Sequence, residues 1–139
     1  MIDFHYEADF KLNSESDYSD WINRVLVSEN FTADQIDYVF CDDGYLHKIN
    51  VEYLKHDTLT DIITFDYRHG DRLGGDIFIS VERVKDNAVS FDTELDEEFK
   101  RVMIHGVLHL MGYEDKTEQE KTIMRKKEDD MIKMFHVEQ

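Results

Sequence analysis

The segment from Glu94 to Met111 constrains the fold more than any other part of the chain. Its first residues are polar, and from Val102 onward it is almost wholly apolar. A helix that is apolar on all sides is buried, so this segment predicts a central helix with other elements packed around it. Gly112 follows directly, and glycine readily accepts the left-handed conformation in which many helices end.

The two histidines of this predicted helix, His105 and His109, are four residues apart. Side chains at this spacing lie on the same face of a helix, one above the other. Buried imidazole nitrogens need partners, and a metal ion satisfies one nitrogen of each ring at once. The alternative is a pair of core histidines that hydrogen-bond to neighbouring groups.

Asp115 closes the run HGVLHLMGYED, six residues after the second histidine. If the helix ends at Gly112, the chain reverses there and the Asp115 carboxylate can reach the same metal. Two histidines and one carboxylate leave one tetrahedral position open, which is typical of catalytic zinc sites and not of structural ones. The alternative is that Asp115 only caps the last helix.

The spacing of these residues matches the zinc-binding motif of the metzincins, with Asp115 at the position of the third histidine. Gly106 stands where zinc proteases carry the glutamate that serves as general base. Proteolysis by the usual route is therefore not expected, whereas a metal can still activate water for attack on a phosphodiester. Glu114 is a weak candidate for an acid or base, and the alternative is an exposed turn residue.

The remaining pattern predicts four strands and four further helices. The strands are expected at Ile2 to Tyr6, Gln35 to Cys41, Asp61 to Tyr67 and Gly75 to Ser80, the last two as a hairpin. The helices are expected at Ser14 to Asn30, Tyr45 to Lys55, Val81 to Ser90, and after a capping box at Thr117 to Glu120. Strands come early and helices late, which predicts an α+β domain formed by residues 1–139 as a single unit.

The composition excludes several classes of protein. The single cysteine, Cys41, rules out an intramolecular disulfide framework and fits the reducing cytoplasm. Cys41 falls in a predicted strand, where a buried thiol is favoured over a reactive one. The N-terminus lacks the basic and apolar regions of a signal peptide. No apolar run approaches the roughly 20 residues of a membrane span, so a cytoplasmic protein is expected.

The charge balance is strongly acidic. Sixteen Lys and Arg residues face 32 Asp and Glu residues, which gives a net charge of −16. This negative net charge is unlike that of a general nucleic-acid-binding protein, which normally has a basic surface. Basic residues are nevertheless concentrated at Arg68 to Arg72, at Lys100-Arg101 and at Lys121 to Lys127. For the last group, a solvated helix face paired with acids is favoured over an RNA contact.

Three stretches of the chain resemble one known family. HGVLHLMGYED resembles the H-G-x-L-H-L-x-G-Y-D-H signature of the bacterial YbeY family of endoribonucleases. Leu46 to Tyr53 and Asp57 to Phe65 resemble that family's L-N-x-x-Y-R-x-x-D-x-P-T-D-V-L-S-F segment. Leu73 to Ile77 resembles its L-G-D-I strand. The resemblance spans most of the chain, in the family's order.

This resemblance implies a single-strand-specific, metal-dependent endoribonuclease. Such an enzyme acts in ribosomal RNA maturation at the small-subunit 3′ end and in ribosome quality control. The implied cofactor is one Zn²⁺ or another divalent ion, held by His105, His109 and Asp115, whose bound water attacks the phosphodiester. The implied fold is a mixed, mostly parallel sheet packed with helices, with the ligand helix beneath the cleft. Single-stranded ribosomal RNA and ribosomal or assembly proteins are the expected partners.

The sequence departs from the family's pattern at the site itself. Asp115 stands where the family has its third ligand histidine, and Glu114 where it has the preceding aspartate. Leu54 stands where the family has a functional arginine, which would clamp phosphate. Lys55, also a weak catalytic candidate, and His56 are candidates to replace it. The remaining candidates are arginines that could fold inward, namely Arg68, Arg72 and Arg101.

Two other functions stay open at this point. A metzincin-like zinc peptidase needs another base in place of Gly106. A non-catalytic, metal-containing ribosome assembly factor would explain the altered ligand and the missing arginine as signs of lost turnover.

Overall fold

A four-stranded sheet and five helices make up residues 1–54 and 60–136, the part of the chain that the computed structural model describes. The strands are β1 (Ile2–Tyr6), β2 (Thr32–Cys41), β3 (Ile62–Asp66) and β4 (Arg72–Ser80). The helices are α1 (Glu15–Ser28), α2 (Asp43–Leu54), α3 (Val81–Ser90), α4 (Leu95–Met111) and α5 (Glu118–His136). The predicted α+β class is confirmed.

The sheet has the order β1-β2-β4-β3. β1 and β4 run parallel to β2, and β3 runs antiparallel to β4. The mixed, mostly parallel sheet and the hairpin of the last two strands are therefore confirmed. Parallel neighbours need a crossover connection, and α1 supplies it between β1 and β2.

Two strands begin earlier than the sequence pattern predicts. β2 starts at Thr32 and β4 at Arg72, and these two residues pair with each other. The register between the strands shifts between Ala33 and Ile36. Such an irregularity breaks the alternation of inward and outward side chains. The alternating pattern therefore marks only the regular parts of these strands.

Helix α4 lies at the centre of the helical layer, as the sequence predicts. It packs against β3, β4, α3 and α5, and most of its side chains from Val102 onward are buried. A β-carbon at Gly106 would lie 2.9 Å from Cγ2 of Ile77 and 3.1 Å from Cδ1 of Ile62. Glycine at this position therefore permits the close approach of α4 to the sheet.

The C-terminal end of α4 is fixed by a left-handed glycine. Gly112 has a φ of 105°. Its amide donates to the carbonyl of His109 at 3.0 Å, and the amide of Tyr113 donates to the carbonyl of Leu108 at 3.0 Å. These two bonds form a Schellman motif, which ends the helix and reverses the chain. The predicted helix end at Gly112 is confirmed.

The last helix, α5, covers both α1 and α4. The amide of Glu120 donates to Oγ1 of Thr117 at 3.0 Å, and the amide of Thr117 donates to Oε1 of Glu120 at 2.9 Å. This reciprocal pair is the predicted capping box. Met124 and Met131 are buried in the main core. Within the described residues, no helix is both long and apolar enough to span a membrane.

Candidate metal centre

Three donor atoms from α4 and the turn after it converge on one point. Nε2 of His105 and Nε2 of His109 lie 3.0 Å apart. Oδ2 of Asp115 lies 3.3 Å from the first nitrogen and 3.5 Å from the second. The helix stacks the two imidazoles, and the chain reversal after Gly112 returns the carboxylate to them. The three residues singled out from the sequence are thus brought together.

The separations of these atoms fit a divalent ion. Zinc binds nitrogen and oxygen donors at about 2.0–2.2 Å in tetrahedral geometry, which places the donors about 3.3 Å from one another. The three observed distances scatter about this value. These three donors would therefore hold a divalent ion of this kind.

A buried carboxylate on α5 orients the first imidazole. Nδ1 of His105 lies 2.7 Å from Oε2 of Glu128, whose residue is 5% exposed. Oε1 of the same carboxylate accepts from Nη1 of Arg101 at 3.0 Å, and Nη2 of Arg101 donates to Asp129 at 2.8 Å. With the Nδ1 proton directed at Glu128, the Nε2 lone pair of His105 faces Asp115. Ligand histidines of metal sites usually have such a second partner.

Two groups at the centre, His105 and Asp61, have pKa values above their usual range. Burial lowers the pKa of His105, but the hydrogen bond with Glu128 and the charges of Glu128, Asp115 and Asp61 raise it, so the net pKa lies above its usual value. Burial raises the pKa of Asp61, and the negative charges of Glu128 and Asp115 raise it further. Among the described residues that line the centre, acids outnumber cations, and binding of a divalent cation would favour the deprotonated forms of these groups.

Two cavities meet at the three donor atoms. One, of 310 Å³, extends toward α5 and is lined by Glu98, Arg101, Val102, Arg125 and Glu128. The other, of 280 Å³, is lined by Thr60, Thr64 and His109. Both share Asp61, Ile62, His105 and Asp115. We call them the α5 lobe and the threonine lobe. The donor group therefore faces an open cleft and not a closed structural site.

Gly106 cannot be replaced by a catalytic base in this structure. A β-carbon there would already crowd Ile62 and Ile77 of the sheet, which leaves no room for a glutamate side chain. The absence of a protease-type glutamate is thus a consequence of how closely the helix packs.

The other candidates from the sequence are placed as follows. Glu114 is exposed on the turn after α4 and lines neither lobe, so its role as acid or base stays a prediction. Leu54 ends α2 with its side chain largely exposed. Lys55 and His56 lie outside the described residues.

The candidate arginines are held in different ways. Nη1 of Arg68 donates to the carbonyl of Met111 at 2.8 Å and so caps the end of α4. Arg72 pairs with Asp34 at 3.0 Å on the surface, away from both lobes. Among these candidates, only Arg101 faces the cleft, in the α5 lobe.

Several side chains of the basic clusters form ion pairs with acids or pack against other side chains. Nζ of Lys100 lies 4.2 Å from the ring centre of Phe135 and is buried. On α5, three lysines pair with acids, namely Lys121 with Glu118, Lys126 with Asp130 and Lys127 with Glu29. The prediction of a solvated helix face paired with acids is confirmed for these three lysines.

Sequence reasoning missed Glu128. It is 23 residues from His105 along the chain and one of several acids on α5. Its position at a helical spacing from the buried Met124 and Met131 is the one available signal, because that spacing places it on the inner face. Asp61, which lines both lobes, was predicted only as the start of a strand.

A separate cavity of 430 Å³ lies across the sheet from the donor group. Asp76 and Phe78 line it and alternate along β4 with Ile77, whose side chain faces α4. Five aromatic rings and the side chains of Lys48 and Glu52 contribute to its wall. It contains none of the three donors.

The layered α+β fold carries, beside an open cleft, a group of three donors that could hold a metal ion. The family model of endoribonuclease YbeY matches residues 3–136. The chain therefore belongs to the YbeY family of endoribonucleases, and the resemblance read from the sequence is confirmed.

Relatives of high identity support this assignment. The chain is 58% identical to endoribonuclease YbeY of Flavobacterium johnsoniae, over all of both chains. It is 59% identical to that of Christiangramia forsetii, over 99% of this chain and 96% of the relative. The solution structure of TM1509 from Thermotoga maritima has the same fold, with a TM-score of 0.64, 18% identity, and coverage of 96% of this chain and 87% of that one.

Proposed function

We propose that this protein is a zinc-dependent endoribonuclease that cleaves single-stranded ribosomal RNA, with His105, His109 and Asp115 as the metal ligands. The observation that carries the proposal is the convergence of these three donors within 3.5 Å of one another, in a chain of an endoribonuclease family. The hydrogen bond between Glu128 and His105 supports it, because ligand histidines commonly have such a partner.

A bound divalent ion would supply Lewis-acid chemistry, by lowering the pKa of water and polarising a phosphoryl oxygen. The chain's own residues prepare the centre for it. Glu128 holds His105 with its Nε2 atom toward the cleft. Asp61, whose pKa is raised by burial, lines both lobes beside the proposed ligands.

The size of the two lobes favours an unpaired strand. Each lobe is near the lower limit of small-ligand sites, about 300 Å³, and so fits a single nucleotide unit. Bases of a single strand can turn outward into such lobes, whereas the bases of a duplex stay stacked inside it. Maturation of the small-subunit RNA 3′ end and ribosome quality control are the roles that the family resemblance suggests, and we propose a cytoplasmic location on the same ground.

The acidity of the chain predicts weak unaided affinity for RNA. Its net charge of −16 repels a phosphate backbone, and three lysines of α5 are paired with acids. We therefore propose that a ribosomal or assembly protein recruits it to its substrate. Filter binding at low salt measures the affinity of the isolated protein for RNA. Tight binding by the protein alone would contradict the recruitment hypothesis.

The test of the function is cleavage of labelled RNA by the full chain. Metal-depleted protein is expected to be inactive, and added Zn²⁺ is expected to restore cleavage of a single strand but not of a duplex. His109→Ala is expected to abolish cleavage, whereas His69→Ala, an exposed histidine of the β3–β4 turn, is expected to leave it unchanged. Equal cleavage by the His109 and His69 variants would refute the proposal.

The same experiment separates the two alternatives. A protein that binds metal but cleaves no RNA, even with ribosomal subunits as substrate, would be the non-catalytic assembly factor. Degradation of denatured casein would indicate the peptidase. The position of Gly106 against Ile62 and Ile77 argues against the peptidase, because the packing leaves no room there for the side chain of a base.

A further inference from the structure

The cleft needs a cation to accept a phosphate group, and most of its charged side chains are acidic. Among the described residues, four carboxylates line the two lobes, namely Asp61, Glu98, Asp115 and Glu128. The α5 lobe contains two arginines, Arg101 and Arg125, and the threonine lobe contains none among the described residues. The guanidinium that is free to bind substrate must therefore be sought in the α5 lobe.

The guanidinium of Arg101 already forms ion pairs with two acids of α5. It donates to Glu128 at 3.0 Å and to Asp129 at 2.8 Å, and its side chain is only 12% exposed. If Arg101 turned toward a substrate, the buried carboxylate of Glu128 would lose its cation, which is costly in a low-dielectric interior. Arg101 therefore supports the orientation of His105 and is not free to bind phosphate.

Arg125 is placed differently. It lies three residues before Glu128 on α5, so the two side chains share one face of the helix. It is exposed and lines the α5 lobe together with His105 and Asp115. Within residues 1–54 and 60–136, its guanidinium makes no hydrogen bond or ion pair with a protein side chain.

Glu98 shares the α5 lobe with Arg125 and interacts with its charge, but forms no hydrogen bond or ion pair with it. Glu98 is buried and accepts a hydrogen bond from Oγ1 of Thr93 at 3.3 Å. Burial raises the pKa of Glu98, which weakens its hold on a neighbouring cation. The three paired lysines of α5 contrast with Arg125, since each of them has an acidic partner.

We propose that Arg125 binds a phosphate of the RNA strand in the α5 lobe, beside His105 and Asp115. The inference rests on the proposed function and names the residue that positions its substrate. A guanidinium presents a planar pair of donors that matches two phosphate oxygens. The strand would then run from Arg125 across the metal centre into the threonine lobe, where the hydroxyls of Thr60 and Thr64 meet the next nucleotide unit.

The test compares Arg125→Gln with Lys126→Gln in the full chain. Both changes remove one positive charge from adjacent positions of the same exposed helix, and Lys126 lines neither lobe. Binding of a labelled single-stranded RNA is measured in EDTA, and cleavage is measured with Zn²⁺. Arg125→Gln is expected to raise Kd and to lower kcat/KM by about tenfold to hundredfold, with an unchanged melting temperature. Lys126→Gln is expected to change neither quantity by more than about twofold.

The salt dependence of RNA binding gives a second readout, which would not change if Arg125 had only a structural role. Loss of one phosphate contact is expected to reduce the slope of log Kd against log salt by about 0.7 for a single strand. Arg125→Lys keeps the charge but loses the paired donors, so it is expected to restore the slope and only part of the affinity.

The outcomes distinguish the two proposals. If the wild type cleaves RNA and Arg125→Gln behaves like Lys126→Gln, the role of Arg125 is refuted and the function stands. If the wild type neither binds nor cleaves RNA, both proposals are refuted together.

Discussion

Glu128 gives the sharpest test of how the candidate metal centre is built. The change to alanine removes the carboxylate that lies 2.7 Å from Nδ1 of His105 and 3.0 Å from Nη1 of Arg101. It leaves all three proposed ligands in place. If Glu128 orients His105, the change will weaken metal binding without removing a ligand.

The structure sets the expected size of the effect. Loss of such a partner to a ligand histidine lowers metal affinity by about tenfold to hundredfold. Breaking a buried ion pair costs about 3–5 kcal/mol. The cost is expected to be smaller here because Arg101 keeps its second partner, Asp129. We therefore expect the free energy of unfolding of the metal-free protein to fall by about 2–3 kcal/mol.

The assay is competition for Zn²⁺ with a colorimetric chelator, together with urea unfolding in EDTA. Asp129→Ala is the matched control, because it removes the other partner of Arg101, is 49% exposed and does not touch His105. It is expected to leave metal affinity within about twofold of wild type. Equal metal affinity for the wild type and Glu128→Ala would refute the orienting role.

Three further predictions follow from particular residues. Gly106→Ala is expected to destabilise the protein by about 1–3 kcal/mol in urea unfolding, because the new β-carbon would lie 2.9 Å from Ile77, and an unchanged midpoint would contradict this packing. The pKa of His105 is raised in the folded protein without metal, so protonation of His105 stabilises the fold below the ordinary histidine pKa. This stabilisation is lost as pH rises through the raised pKa. Urea unfolding in EDTA across this pH range should show a decline in the free energy of unfolding that His105→Ala lacks. Burial raises the pKa of Cys41 to about 12, so Ellman's reagent at pH ~8 should label it only after unfolding.

Features set by local chemistry could be predicted from the sequence. Gly112 and the Thr117–Glu120 capping box mark helix ends, because each satisfies backbone groups within a few residues. The spacing of His105, His109 and Asp115 brings the donors together through one helix and one reversal, so it needs no knowledge of the rest of the fold.

Features set by distant packing could not be predicted. Glu128 reaches His105 only because α5 packs along α4, and no local pattern distinguishes it from the other acids of α5. The roles of Arg68 and Arg101 likewise depend on contacts across the fold, with the end of α4 and with Glu128. The same holds for Gly106, whose closeness to Ile77 appears only when the helix lies on the sheet.

The central claim is that His105, His109 and Asp115 bind one divalent metal ion. Elemental analysis of the purified wild type, His105→Ala and Asp115→Ala proteins tests it most directly. We expect about one zinc per wild-type chain and a large loss in both variants, because three protein ligands are the minimum for a catalytic zinc site. Equal metal content in all three proteins would show that the metal centre described here is wrong.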